Sequence, residues 1–327
     1  IFFRDMVRRT RGRLPSKAAK GTTQRNVSKG TTAVQSKAHR RSGEGQGTTT
    51  QRRKTTDSRG LEPIPKAIAG RAPARQRFLR SRVLITGGAE GIGRGIALAF
   101  AAEGADVFVA DIKAPSGADR KCEKGLAGSI RYFSCDAGVP EQVEAASKAA
   151  GPRDILINNV ATQPEAPCHE HSLEDWMRAL NVNLTSYFLF SKFCLPHMLK
   201  AGKGVIVNMA SVQGLQSQPG IPGYAASKGG VLSLTRQLAM EYADKGIRVT
   251  AINPGTINTP LVSRILKLRG TTKAQAGAVY PMRRIGEIQE ISNAVLFLAS
   301  DEASFITAES LTVDGGIMGL GGWAQVA

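Results

Sequence analysis

The feature that most constrains the fold is an alternation of short apolar runs with helical stretches, which begins near residue 82. The first unit reads RVLIT, GIGRGIALAFAAEG and ADVFVAD, which predicts a strand, a helix ending at Gly104 and a second strand. The alternation continues through IRYFSCD, DILINN, GVIVNMAS, GIRVTAINPG and ESLTVDGG. Seven strands separated by helices predict an α/β fold, a single doubly wound parallel sheet whose ligands bind beyond the carboxyl ends of the strands.

Charge divides the chain into two parts. Residues 1–82 hold 22 Lys and Arg against 4 Asp and Glu, whereas residues 83–327 hold 22 of each, so the basic end carries the whole formal net charge of +18. A net charge informs about the partners of the part that carries it, so the high pI does not predict a nucleic-acid-binding fold. We therefore predict a basic low-complexity extension at residues 1–81 and one folded domain at residues 82–327.

The basic extension is rich in Arg, Lys, Thr, Ser and Gly and repeats GTT at Gly21, Gly30 and Gly47. It lacks the apolar residues needed to fold alone, so a disordered or artefactual extension is the favoured interpretation. Two alternatives stay open: a transit peptide for the mitochondrion or plastid, and a basic arm for RNA or acidic partners. Transit peptides are amphipathic, and the stretch from Arg8 to Arg59 has little apolar face.

Cysteine usage and hydropathy predict a soluble cytoplasmic protein. The four cysteines form no C-x-x-C pair, which is typical of a reduced, intracellular chain. No apolar run reaches the ~18 residues needed to cross a bilayer, so no membrane association is expected. The segment CHEH (Cys168 to His171) is a weak metal candidate because adjacent side chains do not converge on one ion. A surface loop before a helix capped by Ser172 explains the segment better.

A glycine cluster, TGGAEGIG from Thr86 to Gly93, lies between the first strand and its helix. Such a loop lets backbone approach a pyrophosphate at a helix N-terminus, although taken singly it is also compatible with a plain turn. Its T-G-x-x-x-G-x-G spacing resembles the short-chain dehydrogenase/reductase family. Four further motifs carry the resemblance, which runs from about Arg82 to Gly316: NNVA at 158–161, YAASK at 224–228, NPGTINT at 253–259 and VDGG at 313–316.

The resemblance implies a Rossmann-type domain and a catalytic tetrad of Asn183, Ser211, Tyr224 and Lys228. The chemistry of the residues agrees, because a free tyrosine with a pKa of about 10 is a poor base at neutral pH. Lys228 lies four residues after Tyr224 on the same predicted helix face, so its ammonium favours the phenolate. In the family, the lysine also binds the nicotinamide ribose, the serine holds the substrate oxygen, and the asparagine kinks its helix.

The family resemblance also assigns cofactor contacts. NAD is favoured over NADP, because Asp111 ends the second strand, where a carboxylate accepts the ribose hydroxyls and repels a 2'-phosphate. Glu90 adds a second carboxylate in the glycine loop. The residues expected to contact the cofactor are Gly87, Gly91, Ile92, Gly93, Asp111, Asp136, Asn158, Tyr224, Lys228, Pro254, Ile257 and Thr259.

The resemblance implies an enzyme that interconverts a secondary alcohol and a ketone by hydride transfer, assembled as a homodimer or homotetramer. One alternative is a 3-oxoacyl-thioester (acyl-carrier-protein) reductase, and another is a non-catalytic NAD-binding or tail-mediated RNA-binding protein. The segment after Thr259 is expected to form a mobile lid. The residues beside the serine and tyrosine that are expected to line the substrate pocket are Val212, Gln213, Leu215, Gln216 and Ile221. Two departures from the family pattern concern packing: Val160 with Ala161 in NNVA, and Ala308 where relatives often have Gly.

Overall fold

The computed structural model describes residues 76–115, 117 and 119–321, and within them seven parallel strands form one sheet. The sheet order is β3-β2-β1-β4-β5-β6-β7, so the predicted doubly wound sheet is confirmed. Successive strands extend the sheet in one direction from β1 to β3 and in the opposite direction from β4 to β7. The switch lies between β1 and β4, where a ligand crevice is expected in such folds. The strands are β1 (Arg82–Thr86), β2 (Asp106–Asp111), β3 (Ser129–Ser134), β4 (Ile155–Asn158), β5 (Gly204–Met209), β6 (Ile247–Pro254) and β7 (Ser310–Val313).

Helices cover both faces of the sheet. They are α1 (Gly91–Ala102), α2 (Pro140–Ala150), α3 (Leu173–Leu180), α4 (Ser186–Ala201), α5 (Pro222–Tyr242), α6 (Pro260–Leu268), α7 (Lys273–Gly277) and α8 (Ile288–Ala299). A π-helical turn, Asn181–Thr185, joins α3 to α4. The predicted N-cap of α3 is confirmed, since the Ser172 hydroxyl accepts a hydrogen bond from the Asp175 amide at 3.0 Å.

Alternate residues of each central strand enter two separate cores. Val83 and Ile85 of β1 pack with α1 and α8, whereas Leu84 packs with α2, α4 and α5. Continuous apolar strands such as RVLIT are therefore explained by burial on both faces. These two cores hold the carboxyl ends of β1, β4 and β5 in register beside one another.

The folded domain begins before the expected boundary at residue 82. Gln76–Ser81, which the composition assigns to the basic extension, pack on α1: Phe78 is 2% exposed and its ring lies edge-on to Phe100 at 4.7 Å. Arg77 binds both carboxylate oxygens of Glu103, at 2.7 and 2.8 Å. The interpretations of residues 1–75 lie outside the described residues.

Candidate active site

A cleft of about 920 Å³ opens at the carboxyl ends of the strands. Its walls come from the glycine loop after β1, the segments after β2, β3, β4, β5 and β6, and the helices α6 and α7. This is the crevice that the reversal between β1 and β4 predicts.

The glycine loop packs against the end of β4. Gly87 and Gly91 adopt left-handed backbone, with φ of +67° and +59°. A Cβ on Gly93 would lie 2.1 Å from the Gly87 carbonyl oxygen and 2.5 Å from Asn159 Nδ2, so no larger residue fits there. With these glycines the loop is tight and exposes its backbone to the cleft beside the N-terminus of α1, so it fits a dinucleotide pyrophosphate.

Asn159 and Thr86 tie the glycine loop to β4. The Asn159 side-chain amide donates to the carbonyl oxygens of Thr86 and Gly87 at 3.0 and 2.8 Å. The Thr86 hydroxyl in turn accepts from the Asn159 and Val160 amides at 3.0 and 3.2 Å. These four bonds fix the position of the loop from which a cofactor would be held.

Asp111 anchors the other side of the same loop. Its carboxylate accepts hydrogen bonds from the Ala89 and Lys113 amides, both at 2.9 Å, and it lines the cleft. Glu90, by contrast, is paired with Arg264 of α6 at 3.1 Å. The arginine partly neutralises Glu90, so Asp111 is the carboxylate that stays available at this end of the cleft.

Tyr224 and Ser211 meet on the floor of the cleft. Ser211, expected at the end of β5, lies two residues after its last residue Met209 and is 7% exposed, while Tyr224 lies in the first turn of α5, which begins at Pro222. Pro at the first turn is favoured because its fixed φ suits a helix start. Both side chains line the cleft, where burial raises the pKa of Tyr224 and the nearby Ser211 hydroxyl lowers it. A substrate oxygen can therefore reach both hydroxyls from one position.

Lys228 lies one turn after Tyr224 and is 1% exposed. Its Nζ lies 5.6 Å from the centre of the Tyr224 ring and donates a 2.6 Å hydrogen bond to the Met209 carbonyl. Burial lowers the pKa of Lys228 to about 7, and burial raises the pKa of Tyr224, an effect that the Ser211 hydrogen bond opposes. Each charge alone is disfavoured, so the phenolate and the ammonium are more stable together than either is singly.

Asn183 lies in the π-helical turn, one hydrogen bond away from the cleft wall. Its side chain accepts from the Thr162 amide at 2.7 Å and donates to the Thr162 carbonyl at 2.8 Å. It also donates to the Ser227 hydroxyl at 3.0 Å. A π-turn is a frequent feature of functional sites because it turns one side chain out of the helical register. Asn183 thus joins this helix to the loop after β4 and to the helix that carries Tyr224.

Comparisons with known proteins agree with this geometry. Residues 87–318 match the family model described as enoyl-(acyl carrier protein) reductase. The chain is 38% identical over 240 residues to the 3-oxoacyl-[acyl-carrier-protein] reductase FabG of Thermotoga maritima, covering 72% of this chain and 96% of the relative. It is 37% identical over 246 residues to cyclohexanol dehydrogenase of Acinetobacter sp., covering 73% and 95%. The solved aldohexose dehydrogenase of Thermoplasma acidophilum matches with a TM-score of 0.68 and 35% identity, covering 74% of this chain and 96% of that one.

The chain belongs to the short-chain dehydrogenase/reductase family. It is an oxidoreductase of that family that acts on CH–OH groups with an NAD(P) cofactor. Within the described part of the chain, no helix combines the length and apolarity that a bilayer crossing requires. Among the same residues, CHEH included, no group of His, Cys, Asp and Glu could hold a metal ion.

The dehydrogenase/reductase cleft contains most of the site residues that the motifs predict. Asn158 and Asn183 are fully buried and do not line it. The Asn158 amide donates to Asn208 Oδ1 at 2.9 Å, on the side of the sheet away from the glycine loop. The predicted residues that line the cleft are Gly87, Gly91, Ile92, Gly93, Asp111, Asp136, Ser211, Tyr224, Lys228, Pro254, Ile257 and Thr259.

The substrate half of the cleft has one polar and one apolar wall. The segment after β5 contributes Gln213, Gln216 and Gln218, whereas α6 contributes Val262 and Ile265. Val212, Gln213 and Gln216 line the cleft as expected. Leu215 and Ile221 do not, the first being 51% exposed and the second 2% exposed.

The segment after Thr259 forms two short helices over the cleft, in the position expected of a lid. Thr259 caps α6 by accepting from the Val262 amide at 3.2 Å. Two ion pairs fasten the lid: Arg264 to Glu90 of the glycine loop, and Arg269 to Glu165 after β4 at 2.6 Å. The sequence motifs do not indicate either pair, since the partners are more than 100 residues apart in the chain.

Proposed function

We propose that this short-chain dehydrogenase/reductase oxidises a secondary alcohol, or reduces the matching ketone, with Tyr224 as the proton-transferring residue. The observation that carries the proposal is the cluster on the cleft floor. Tyr224 and Ser211 line the same cleft, and the centre of the Tyr224 ring lies 5.6 Å from the buried Nζ of Lys228. This arrangement supplies one proton acceptor, one oxygen-binding hydroxyl and one stabilising cation within a single pocket.

In the oxidation direction, the Tyr224 phenolate takes the proton of the substrate hydroxyl while Ser211 donates a hydrogen bond to the same oxygen. Lys228 stabilises the phenolate electrostatically, and the low dielectric of the buried site strengthens that effect. Asn183 acts indirectly, because its hydrogen bonds fix the positions of Thr162 in the loop after β4 and of Ser227 in α5. The chemistry that NAD(P) supplies when bound is acceptance or donation of the hydride at its nicotinamide ring.

The cleft residues fit a nicotinamide dinucleotide. The glycine loop would hold the pyrophosphate, Asp136 the adenine end, Lys228 the nicotinamide ribose, and Ile257 with Thr259 the carboxamide. We propose that NAD is preferred over NADP because Asp111 lies where a 2'-phosphate would meet its charge. Because Glu90 is paired with Arg264, we expect Glu90 to contribute less than Asp111 to the preference for NAD.

Cofactor preference is tested by kcat/KM for NAD and NADP on one substrate. We expect the unmutated enzyme to prefer NAD by about tenfold to a hundredfold, since one half-buried like-charge contact costs about 1–3 kcal/mol. Asp111→Ala with Glu90→Arg should move the ratio toward NADP. Glu90→Gln alone is the matched control and should move it less than Asp111→Asn. Equal or better use of NADP by the unmutated enzyme would contradict the proposal.

The catalytic proposal is tested by an NAD-linked oxidation screen over secondary alcohols, sugars and steroids, with the variant Tyr224→Phe. The variant should lose turnover by more than about a hundredfold, the usual contribution of a proton-transfer group, and bind NADH almost normally. Tyr242→Phe, at the far end of the same helix, is the matched control and should keep full activity. Near-normal turnover by Tyr224→Phe would remove the mechanism.

A second candidate is reduction of a 3-oxoacyl thioester, which the likeness to the Thermotoga maritima reductase favours. A carrier protein could dock on basic residues near the C-terminal ends of α4 and α5, which are Lys200, Lys203 and Lys245. Two of them are already paired, Lys203 with Asp301 at 3.2 Å and Lys245 with Asp244 at 2.9 Å. Their pairing weakens the case, and the substrate screen therefore includes 3-oxoacyl thioesters in the reducing direction.

We also propose that the enzyme is a cytoplasmic homo-oligomer. Support for assembly comes from large apolar side chains exposed on helix surfaces, Phe188 of α4 at 48% and Met240 of α5 at 66%. Support for a reducing compartment comes from its four free cysteines. Light scattering after size-exclusion chromatography measures the assembly, and a monomer at micromolar concentration would contradict it.

A further inference from the structure

Tyr187 is a buried residue next to the cleft that no motif indicates. It lies in the first turn of α4, 41 residues before Lys228 in the chain, and its side chain is completely buried. Its hydroxyl oxygen lies 3.1 Å from the Val160 carbonyl, 3.2 Å from the Met209 carbonyl and 3.3 Å from Lys228 Nζ. One phenol thus joins the ends of β4 and β5 to the catalytic helix.

The hydrogen-bond donors and acceptors at this point make the Tyr187 oxygen an acceptor toward Lys228. The Tyr187 phenol has one proton, which it donates to one of the two carbonyls, and burial raises its pKa well above the ordinary value, so it stays neutral. Lys228 has no acceptor when charged, so the 3.3 Å contact is a bond that the ammonium donates and the Tyr187 oxygen accepts. Lys228 Nζ lies between two tyrosine rings, 5.2 Å from the centre of Tyr187 and 5.6 Å from that of Tyr224.

We propose that Tyr187 is a positioning residue for catalysis, whose hydroxyl holds the Lys228 ammonium between the Met209 carbonyl and the Tyr224 ring. The inference rests on the proposed function of Tyr224 and Lys228. Without the Tyr187 oxygen, the ammonium would keep the Met209 carbonyl as its only hydrogen-bond acceptor among the described contacts. Hydrogen bonds to the charged form favour that form, so Tyr187 keeps Lys228 protonated at a higher pH than the cavity alone would allow.

No other charged group accounts for the same effect. From α5 Lys228 faces Tyr224, and from α4 it faces Tyr187. Two backbone carbonyls complete the surroundings: that of Met209 at the end of β5, which accepts from Lys228, and that of Val160 after β4, which accepts from Tyr187. Among the described residues no carboxylate forms an ion pair with Lys228, and burial is the cause that lowers its pKa.

The test uses the full chain with Tyr187→Phe, which removes one oxygen and keeps the ring. NADH is titrated by its fluorescence between roughly pH 5 and pH 9, a span that brackets the pKa of about 7 that burial gives Lys228 and the lower value expected in the variant. In the proposed function the Lys228 ammonium would bind the cofactor ribose, so affinity should fall as Lys228 loses its proton. We expect the midpoint of that fall to move down by about 1 pH unit, and NADH to bind roughly threefold to tenfold more weakly at pH 8. The alkaline limb of the kcat profile should move with it.

Tyr242→Phe is the matched control, since it also removes one phenol oxygen. Tyr242 is the last residue of α5 and does not line the cleft. A purely structural role for Tyr187 would lower the melting temperature and leave the pH midpoint in place, and that result overturns the inference. If Tyr187→Phe does not fold, 3-fluorotyrosine at position 187 keeps the packing and weakens the oxygen as an acceptor, and a smaller shift in the same direction is expected. Unchanged midpoints in both variants overturn the inference alone, whereas an unmutated protein that binds no NADH contradicts the proposed function as well.

Discussion

At the scale of single residues, Lys228 destabilises the folded state at low and neutral pH, because folding buries its charge. Lys228 is fully enclosed, and burial lowers its pKa from 10.5 to about 7. Between these two values the folded protein holds Lys228 mostly neutral, while the unfolded chain holds it charged. The unfolded state then binds more protons, so unfolding free energy rises with pH through this window and the full cost is present below about pH 7.

We expect Lys228→Met to abolish this part of the pH dependence in the cofactor-free protein. The unmutated protein should gain up to about 5 kcal/mol between pH 7 and pH 10.5 relative to the variant, by linkage of one buried lysine. Urea unfolding of both proteins at several pH values measures the difference, and the other titrating groups cancel because both chains share them. Parallel curves for the two proteins would show that Lys228 stays charged in the folded state.

The residues that we propose for the chemistry could be predicted from the sequence to very different degrees. Tyr224, Lys228 and Ser211 follow from local spacing, because a turn of helix and a strand end convert short sequence distances into positions. Tyr187 gives no such signal, since its contact with Lys228 depends on how α4 and α5 pack on the sheet. Asn158 and Asn159 show the same limit: adjacent side chains in a strand face opposite sides, and the packing of β4 decides that Asn159 faces the glycine loop.

At the scale of elements, the loop that leads into β7 contains backbone strain at one position. Ala308 has a φ of +61°, in the left-handed region that suits glycine, while its amide bonds the β6 residue Val249 at 2.9 Å. The bond to β6 fixes the position of the backbone there, so the residue cannot relax without losing the register of the last strand. An L-residue in this region costs about 1–2 kcal/mol.

We expect Ala308→Gly to stabilise the protein by about 0.5–1 kcal/mol, because the relief of strain exceeds the added freedom of the unfolded chain. For a domain of this size the melting temperature should rise by about 1–4 °C, which scanning calorimetry measures. Ala294→Gly, inside α8, is the opposite control and should cost about 1 kcal/mol. A lower melting temperature for Ala308→Gly would indicate that the methyl group's packing outweighs the strain.

The hydrophobic pattern predicted the strands more closely than it predicted the segments that connect helices, such as the turn between α3 and α4. All seven strands were predicted: the five central strands have continuous apolar runs covered on both faces, whereas the edge strands β3 and β7 are half exposed and have shorter apolar patterns. The π-turn at Asn181–Thr185 was indicated only by resemblance, through Asn183, since local propensity marks asparagine as a poor helix former without specifying the type of distortion.

At the scale of the whole molecule, the N-terminal boundary of the folded domain depends on a short segment with a misleading composition. Gln76–Ser81 holds two arginines and reads as part of the basic extension, yet it buries Phe78 against Phe100. The Ser81 carbonyl also accepts from the Asp106 amide at 2.9 Å, which positions the segment beside the start of β2. Composition averaged over the segment conceals a single aromatic residue that packs.

The stability of a truncated chain should therefore depend strongly on whether it keeps the six residues Gln76–Ser81. A chain that starts at Gln76 should keep the stability and the kcat and KM of the full chain. A chain that starts at Arg82 should lose about 3–5 kcal/mol, the cost of removing a buried Phe. Phe78→Ala in the full chain is the matched control and should reproduce most of that loss. Urea midpoints measure all three, and equal midpoints for the two truncated chains would show that Phe78 contributes nothing.

The two arginines of the lid connect parts of the enzyme that act at different moments of a turnover. Arg264 is attached to the loop that would hold the cofactor and Arg269 to the wall of the substrate half, so opening the lid breaks both pairs. Both pairs are half exposed, and added salt weakens exposed ion pairs of this kind. Where product release limits turnover, added salt should therefore shorten the time for which the product stays bound. It should weaken the binding of the cofactor in the same step.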